Sequence, residues 1–169
     1  NWGFPTYNWE AMSNNEFKWW KLRFEQMSFY FDAFRIDHIL GFFRIWSIPM
    51  NQVEGIMGRF VPAIPITLQE INSKGISFDH YRFTKPYINE TVLLKEFGYD
   101  NDYVKQHFLH FIGDGHYELL PAFENQRLVE NHFETMPEDE WHLKIKNGLF
   151  DLISNVILFE SDEAHSFHF

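Results

Sequence analysis

The sequence contains no cysteine. That removes disulfides, thiolate nucleophiles and thiolate metal ligands, and it fits a reducing compartment. Long apolar runs are absent too: nothing approaches the ~20 residues that cross a bilayer. The first fifteen positions have neither the basic nor the apolar region of a secretory signal. A cytoplasmic protein without a membrane partner is therefore expected. Basic charge is scarce, with 14 Lys and Arg against 24 Asp and Glu and a net charge of −10. Such a chain repels a phosphate backbone, so no nucleic-acid partner is expected. No Gly-x-Gly-x-x-Gly, phosphate-binding loop, Gly-x-Ser-x-Gly or His-Glu-x-x-His occurs, which leaves nucleotide, serine-hydrolase and metalloprotease readings without support. His107 with His110, and His165 with His168, have the i, i+3 spacing of some metal sites, with His116 nearby. No Cys or Glu at ligand spacing joins them. They read as surface or ring-packed histidines, and neither a metal nor a cofactor is expected.

What the chain has in excess is aromatic side chains: 20 Phe, 7 Tyr and 6 Trp, a fifth of all residues. Burial is the default use of such rings, while an exposed minority of Trp and Tyr suits the flat apolar faces of pyranoses. Residues 1–13, with Gly3, Pro5 and two asparagines, read as a loop. From Asn14 to Tyr30 apolar side chains fall at 17, 20, 24, 27 and 30 or 31, a helical spacing that Asn14 or Asn15 can cap. Its apolar stripe reads as a face packed against the rest of the fold; a membrane- or partner-binding helix is the alternative. FDAFRIDH, residues 31–38, switches to alternation, with Ala33, Arg35 and Asp37 on one face of a strand and Phe34 and Ile36 on the other. Gly41 and Pro49 bracket a short helical or irregular piece, and residues 50–65, with Pro62 and Pro65, have no clean period. Helices are expected over 67–74, 89–97 and 101–112. Each is followed by a glycine stop signal, Gly75, Gly98 or Gly113. Two more are expected over 121–133 and 138–152, and PEDEW at 137–141 supplies the last with a proline start and acids at its positive end. NVILFES, residues 155–161, reads as a second strand or as the end of that helix; its β-branched content favours strand.

A helix followed by a strand with charged residues at its C-terminal end is one unit of an α/β fold, and sites in parallel sheets and barrels lie at that end. A closed (β/α)8 barrel needs eight strands and ~250 residues, so a chain of 169 residues with one clear strand cannot close one. The start at Asn1, directly in motif-dense sequence, points to a piece of something larger.

Arg35 and Asp37 put two strong charges into an otherwise apolar run, which is costly unless they are paired or used. Two readings stand. Side chains at i and i+2 of a strand share a face about 7 Å apart at the Cα, so the two can form a structural ion pair. Alternatively the guanidinium keeps a catalytic carboxylate ionised and aimed, as an aspartate attacking an anomeric carbon requires.

FRIDHILGFFRIWSIP, with WGFPTYNWEAM upstream, closely resembles the 4-alpha-glucanotransferases (amylomaltases and disproportionating enzymes) of glycoside hydrolase family 77, members of the α-amylase clan of (β/α)8 TIM barrels. In that family Arg-x-Asp-His closes the fourth barrel strand, and its aspartate forms a β-glucosyl-enzyme intermediate. The resemblance implies that Asp37 is the nucleophile, that Arg35 orients it, that His38 lines the donor subsite, and that Trp2, Tyr7 and Trp9 belong to the glucan-binding groove. Leu40 stands where the simpler bacterial amylomaltases, reading Arg-Ile-Asp-His-Phe-Arg-Gly, have a second arginine. Ile39, Leu40, Phe43, Arg44 and GIMGRFVPAIP instead resemble the larger branch, which includes the plant cytosolic disproportionating enzyme and its bacterial relatives. Members of that branch move glucose from maltose to a polymeric glucan and carry a long insertion after the nucleophile strand, which this chain matches in length and in marks such as LFDLISNVILFE. The implied fold is α/β: residues 1–53 as part of the TIM barrel, and 54–169 as a mostly α-helical insertion leading back toward the next barrel strand.

A retaining enzyme needs a second carboxyl group about 5–5.5 Å from the first, to protonate the leaving oxygen and then deprotonate the acceptor. In this family it is the glutamate of a Gly/Ala-Glu-Asp-Leu-Gly motif on the next barrel strand, and a third acid is an aspartate after a histidine. The sequence has neither motif. Asp32, five residues before Asp37 and of opposite strand parity, is excluded. Glu160, ending NVILFE, is a better decoy, but no Gly-rich turn follows it. The acid/base group is therefore expected outside this chain, and the chain alone is expected to be inactive. The implied function is retaining transfer between α-1,4-glucans or maltooligosaccharides, with the remainder of its own barrel as a partner. A non-catalytic glucan-binding or assembly module and an α-amylase-clan hydrolase are the alternatives.

Overall fold

The computed structural model describes residues 6–161 and 163–168. In chain order its elements are α1 (Trp9–Asn14), α2 (Lys18–Ser28), β1 (Ile45–Ser47), β2 (Arg59–Val61), β3 (Ile66–Thr67), α3 (Leu68–Ser73), α4 (His80–Thr84), β4 (Ile88–Asn89), α5 (Glu90–Phe97), α6 (Asn101–Phe108), β5 (Leu109–Gly113), β6 (His116–Leu119), α7 (Gln126–Phe133), α8 (Glu140–Ser154), β7 (Phe159–Glu160) and β8 (Ser166–His168). They fall into two compact units. The smaller comprises the described residues up to Ser47 together with Phe60–Pro62; the larger comprises Ile48–Arg59 and the described residues from Ala63 onward.

Helices α3, α4, α5, α7 and α8 of the larger unit start where the sequence offers a side-chain oxygen to an orphan amide. Asn89 Oδ1 accepts from Val92 N at 2.9 Å, Asn125 Oδ1 from Leu128 N at 3.0 Å, and Asp139 Oδ1 from His142 N at 2.9 Å. Thr67 and Glu70 cap α3 reciprocally: Glu70 N donates to Thr67 Oγ1 at 3.2 Å and Thr67 N to Glu70 Oε2 at 2.8 Å. The apolar stripes those helices carry then meet. Leu93 and Phe97 of α5, Val104 and Phe108 of α6, Val129 of α7, and Ile145, Leu149 and Leu152 of α8 form one buried cluster with Ile88 and Leu109. Gln126 is a polar residue buried with them. Fully buried, it accepts on Oε1 from Val53 N at 3.0 Å and Glu54 N at 2.9 Å, and donates from Nε2 to Glu54 Oε2 at 2.7 Å. The 53–54 segment is thereby fastened to α7 with the buried amide satisfied.

Two antiparallel sheets make this unit mixed α/β rather than mostly helical. One has the order β4-β6-β5 and the other β3-β8-β7. The helix expected over 101–112 stops at Phe108, and the chain continues as β5. Leu-His-Phe-Ile is a β-favouring run, and it finds a partner: Leu109 lies opposite Leu119, and Phe111 opposite Tyr117 with ring centroids 5.3 Å apart. Gly113 is consequently the start of a hairpin turn, where Gly113, Asp114 and Gly115 all have positive φ, rather than a helix stop. Of residues 155–161 only Phe159–Glu160 is strand, while Leu158 is buried with Ile71 and Phe167 in a second small cluster.

The smaller unit differs in having no fully buried side chain among its described residues. Residues 9–13, expected to be loop, form α1 together with Asn14, and Asn8 Oδ1 caps it by accepting from Ala11 N at 2.9 Å. α2 begins at Lys18, whose amide reaches Asn15 Oδ1 at 3.3 Å. Its half-buried residues, Trp20, Phe24 and Met27, fall at i, i+4 and i+7. The strand expected over 31–38 is not formed: these residues join no ladder, and each is exposed. Alternation alone does not make a strand; a neighbouring edge must supply the hydrogen bonds, and none among the described residues does. The strand in this region is instead β1, which pairs with β2.

Gly148 of α8 lies against the Phe97 ring, where an added Cβ would stand 2.3 Å from Cε1 and 2.8 Å from Cζ. Gly148→Ala should therefore destabilise the larger unit by about 1–3 kcal/mol, in spite of alanine's better helix propensity. The check is a lower urea midpoint at unchanged m-value; an equal or higher midpoint would show that the ring yields freely.

Candidate functional site

The Arg35-Ile36-Asp37-His38 segment is held at its two ends by rings on α2. Phe34 stacks on Phe24 with centroids 4.9 Å apart and planes 16° from parallel, and Phe42 packs on Trp20 at 4.8 Å. Trp20 and Phe24, one helical turn apart, stack on each other at 5.5 Å. Residues 35–40 between these anchors are exposed throughout. Among the described residues Arg35 and Asp37 form no ion pair, so a structural pair does not account for them here. Without a ladder, strand parity no longer separates Asp32 from Asp37 either.

His38 takes a left-handed conformation, φ 54°, and opens a short 3-10 turn over Ile39–Phe42. Its ring lies against Gly41, where an added Cβ would come within 2.8 Å of His38 Cδ2. The glycine thus leaves room for the imidazole. That turn also delivers Phe42 and Phe43 to a groove of about 800 Å³, lined as well by Tyr7, Asn8, Trp9, Glu10, Phe17, Val61 and Pro62. Tyr7 and Trp9 meet at 5.0 Å, and each lies 6.2 Å from Phe42. A ring-lined trough with a few polar groups suits a flat apolar ligand that carries hydroxyls.

The structure thus brings Tyr7 and Trp9 together. Arg35, Asp37 and His38 are not among the groove's lining residues; they share with it the turn that ends at Phe42. Trp2 lies outside the described residues. Phe42, Phe43, Val61 and Pro62 were not singled out from sequence as groove residues, since 42–46 and 50–65 have no clean period. What places Val61 and Pro62 is local: the Arg44 guanidinium sits 4.4 Å above the Phe60 ring, and Trp46 packs edge-on to Phe60 at 5.0 Å.

Glu160 ends β7 in the larger unit and is taken up by His80, whose Nε2 lies 2.7 Å from its Oε1. The histidines considered as ligands are dispersed in their contacts. His107 Nδ1 bonds the Tyr103 carbonyl at 2.8 Å, His116 Nδ1 the Asp114 carbonyl at 2.9 Å, and His110 Nε2 stands 3.6 Å from Glu118. Among the described residues no three His, Asp or Glu side chains converge on a possible metal position, and no helix is long and apolar enough to cross a membrane.

A sequence model of the 4-alpha-glucanotransferases, glycoside hydrolase family 77, matches residues 1–137. The chain belongs to that family. A 4-alpha-glucanotransferase of rice (DPE2) is 39% identical over 167 residues, covering 96% of this chain and 18% of the rice protein. The chloroplastic/amyloplastic 4-alpha-glucanotransferase of potato is 25% identical over 168 residues, covering 92% of this chain and 28% of its own length. That of Aquifex aeolicus is 39% identical over 67 residues, 40% of this chain and 14% of the relative. This 4-alpha-glucanotransferase family chain thus spans less than a third of the length of these relatives. No solved structure matches it.

Phe42 is both an anchor of the motif segment and a wall of the groove. Phe42→Ala should red-shift the tryptophan emission, as Trp9 and Trp20 lose their cover, and speed proteolytic cleavage within 29–40. An unchanged spectrum and cleavage rate would show that the segment is held by something else.

Proposed function

We propose that this chain is the nucleophile-bearing segment of a retaining 4-alpha-glucanotransferase. The observation that carries the reading is the exposed Arg-Ile-Asp-His segment, anchored at Phe34 and Phe42, in a chain of this family. Asp37 attacks the anomeric carbon of an α-1,4-glucan; the C1–O bond breaks, and the leaving sugar oxygen takes a proton from an acid. A sugar 4-hydroxyl then displaces Asp37 and surrenders its proton to the same group. Arg35 keeps Asp37 ionised and aimed, and His38 contacts the donor sugar. Tyr7, Trp9 and Trp2 hold glucan units by stacking, and a ring-lined groove favours a sugar over water as acceptor.

In this reading residues 1–53 are part of the TIM barrel, and 54–169 are the insertion that returns to its next strand. Residues 31–38 become a strand when the neighbouring barrel strands pair with them, and the half-covered rings of the smaller unit are then buried. The acid/base glutamate comes from that remainder, and the protein acts in the cytoplasm on maltose, maltooligosaccharides and glycogen-like acceptors.

In a polypeptide of the relatives' full length, maltose and glycogen should yield free glucose and lengthened glycogen chains. Asp37→Asn should lower the transfer rate about 10⁴-fold or more. The 169-residue chain alone should give no products. Transfer that survives Asp37→Asn, or products from the chain alone that persist in the variant, would refute the assignment.

A further inference from the structure

In the larger unit one aromatic cluster is left partly open to solvent. Tyr103 of α6 and Trp141, in the first turn of α8, meet at 4.9 Å, and His107, one turn after Tyr103, stacks on it at 4.1 Å and 27°. Tyr103 is 38% and Trp141 36% exposed. Their surroundings fix these rings. Trp141 Nε1 donates to Asp100 Oδ1 at 3.1 Å; Lys144 Nζ donates to Asp100 Oδ2 at 2.5 Å and to the Phe97 carbonyl at 3.1 Å. The Lys144 bond first, and the Trp141 bond second, hold the Asp100 carboxyl below its usual range, so the anchor stays ionised. A ring fixed in advance loses little freedom when a ligand lands on it.

The polar atoms left over are suited to hydroxyls. His107 Nδ1 donates to the Tyr103 carbonyl at 2.8 Å, which leaves Nε2 without a partner among the described residues. The Tyr103 hydroxyl has no partner among the described residues and both donates and accepts. Charge argues for a neutral ligand. Lys105 is engaged by Asp102 at 2.9 Å and Glu90 at 3.2 Å, and Lys144 by Asp100, so neither cation is left to neutralise a phosphate. Fixed rings beside an unpaired hydroxyl and an unpaired ring nitrogen offer what a pyranose needs: an apolar face to stack on and partners for its hydroxyls.

We infer that Tyr103, His107 and Trp141 form a second glucan-binding surface, distinct from the groove of the smaller unit, that holds a neutral α-1,4-glucan chain. The substrate class rests on the function proposed above; the surface itself rests on the ring geometry.

The test is electrophoresis of the 169-residue chain in native gels containing increasing glycogen. The chain should be retarded. Tyr103→Ala and Trp141→Ala should each raise the apparent Kd about fivefold or more, the usual consequence of truncating an aromatic contact. Trp141→Phe, which keeps a ring, should bind better than Trp141→Ala, and Trp9→Ala should leave a retarded species. If the alanine variants fail to fold by circular dichroism, Tyr103→Phe decides, and it should bind more weakly than the parent through loss of the hydroxyl alone. No retardation of the parent chain, or retardation lost in Trp9→Ala and untouched by changes at Tyr103 and Trp141, would overturn the inference. Neither result bears on whether Asp37 performs transfer, which the full-length assay reads separately.

Discussion

Trp20 and Phe24 are four residues apart on α2, and the geometry of the candidate site depends on that spacing. One turn of helix brings the two rings into register along one stripe. Each then receives one end of the motif segment, Phe42 on Trp20 and Phe34 on Phe24. Ring pairs of this kind add about 0.5–1.5 kcal/mol each beyond the area they bury, which matters in a unit whose described residues include no fully buried side chain. Charged residues can stand exposed between such anchors without any desolvation cost, and Arg35 and Asp37 do so.

The larger unit has the opposite economy. Helices α3, α4, α5, α7 and α8 are capped by side chains, the core is continuous from α5 through α8, and the buried amide of Gln126 is satisfied by the 53–54 segment. The Phe97 ring fits because residue 148 carries no side chain. Such a unit has what an inserted domain requires, a core of its own, whereas the smaller unit leaves Phe29, Tyr30, Phe31 and Phe43 more than half exposed.

Much of the larger unit was legible because its signals are local. Thr67, Asn89 and Asp139 cap helices by contacts three residues away, and Gly98 ends α5 where expected. A helical spacing and a β-favouring run overlap at 109–112, so the local pattern does not separate β5 from a helix; the partner that decides between them, β6, is specified by the Gly113–Gly115 turn that follows. The strand expected over 31–38 is not formed for a related reason. Its alternation is real, but pairing is non-local, and no described residue supplies the edge. At the site, Tyr7 and Trp9 stand out in the sequence and their rings meet at 5.0 Å, while Phe42, Phe43, Val61 and Pro62 carry no sequence signal because an irregular turn and a two-stranded pairing, rather than any periodicity, bring them to the trough.

The proposed role of Asp37 as carrier of the glucosyl group can be read directly. The most direct measurement is peptide mass mapping after a polypeptide of the relatives' full length is treated with a fluorinated glucosyl fluoride, whose electron-withdrawing substituent slows breakdown of the glycosyl-enzyme. A nucleophilic Asp37 should give a covalent hexosyl adduct on the peptide containing it and none in Asp37→Asn. An adduct on another carboxylate, Glu160 included, or transfer with inverted anomeric configuration and no adduct, would contradict it.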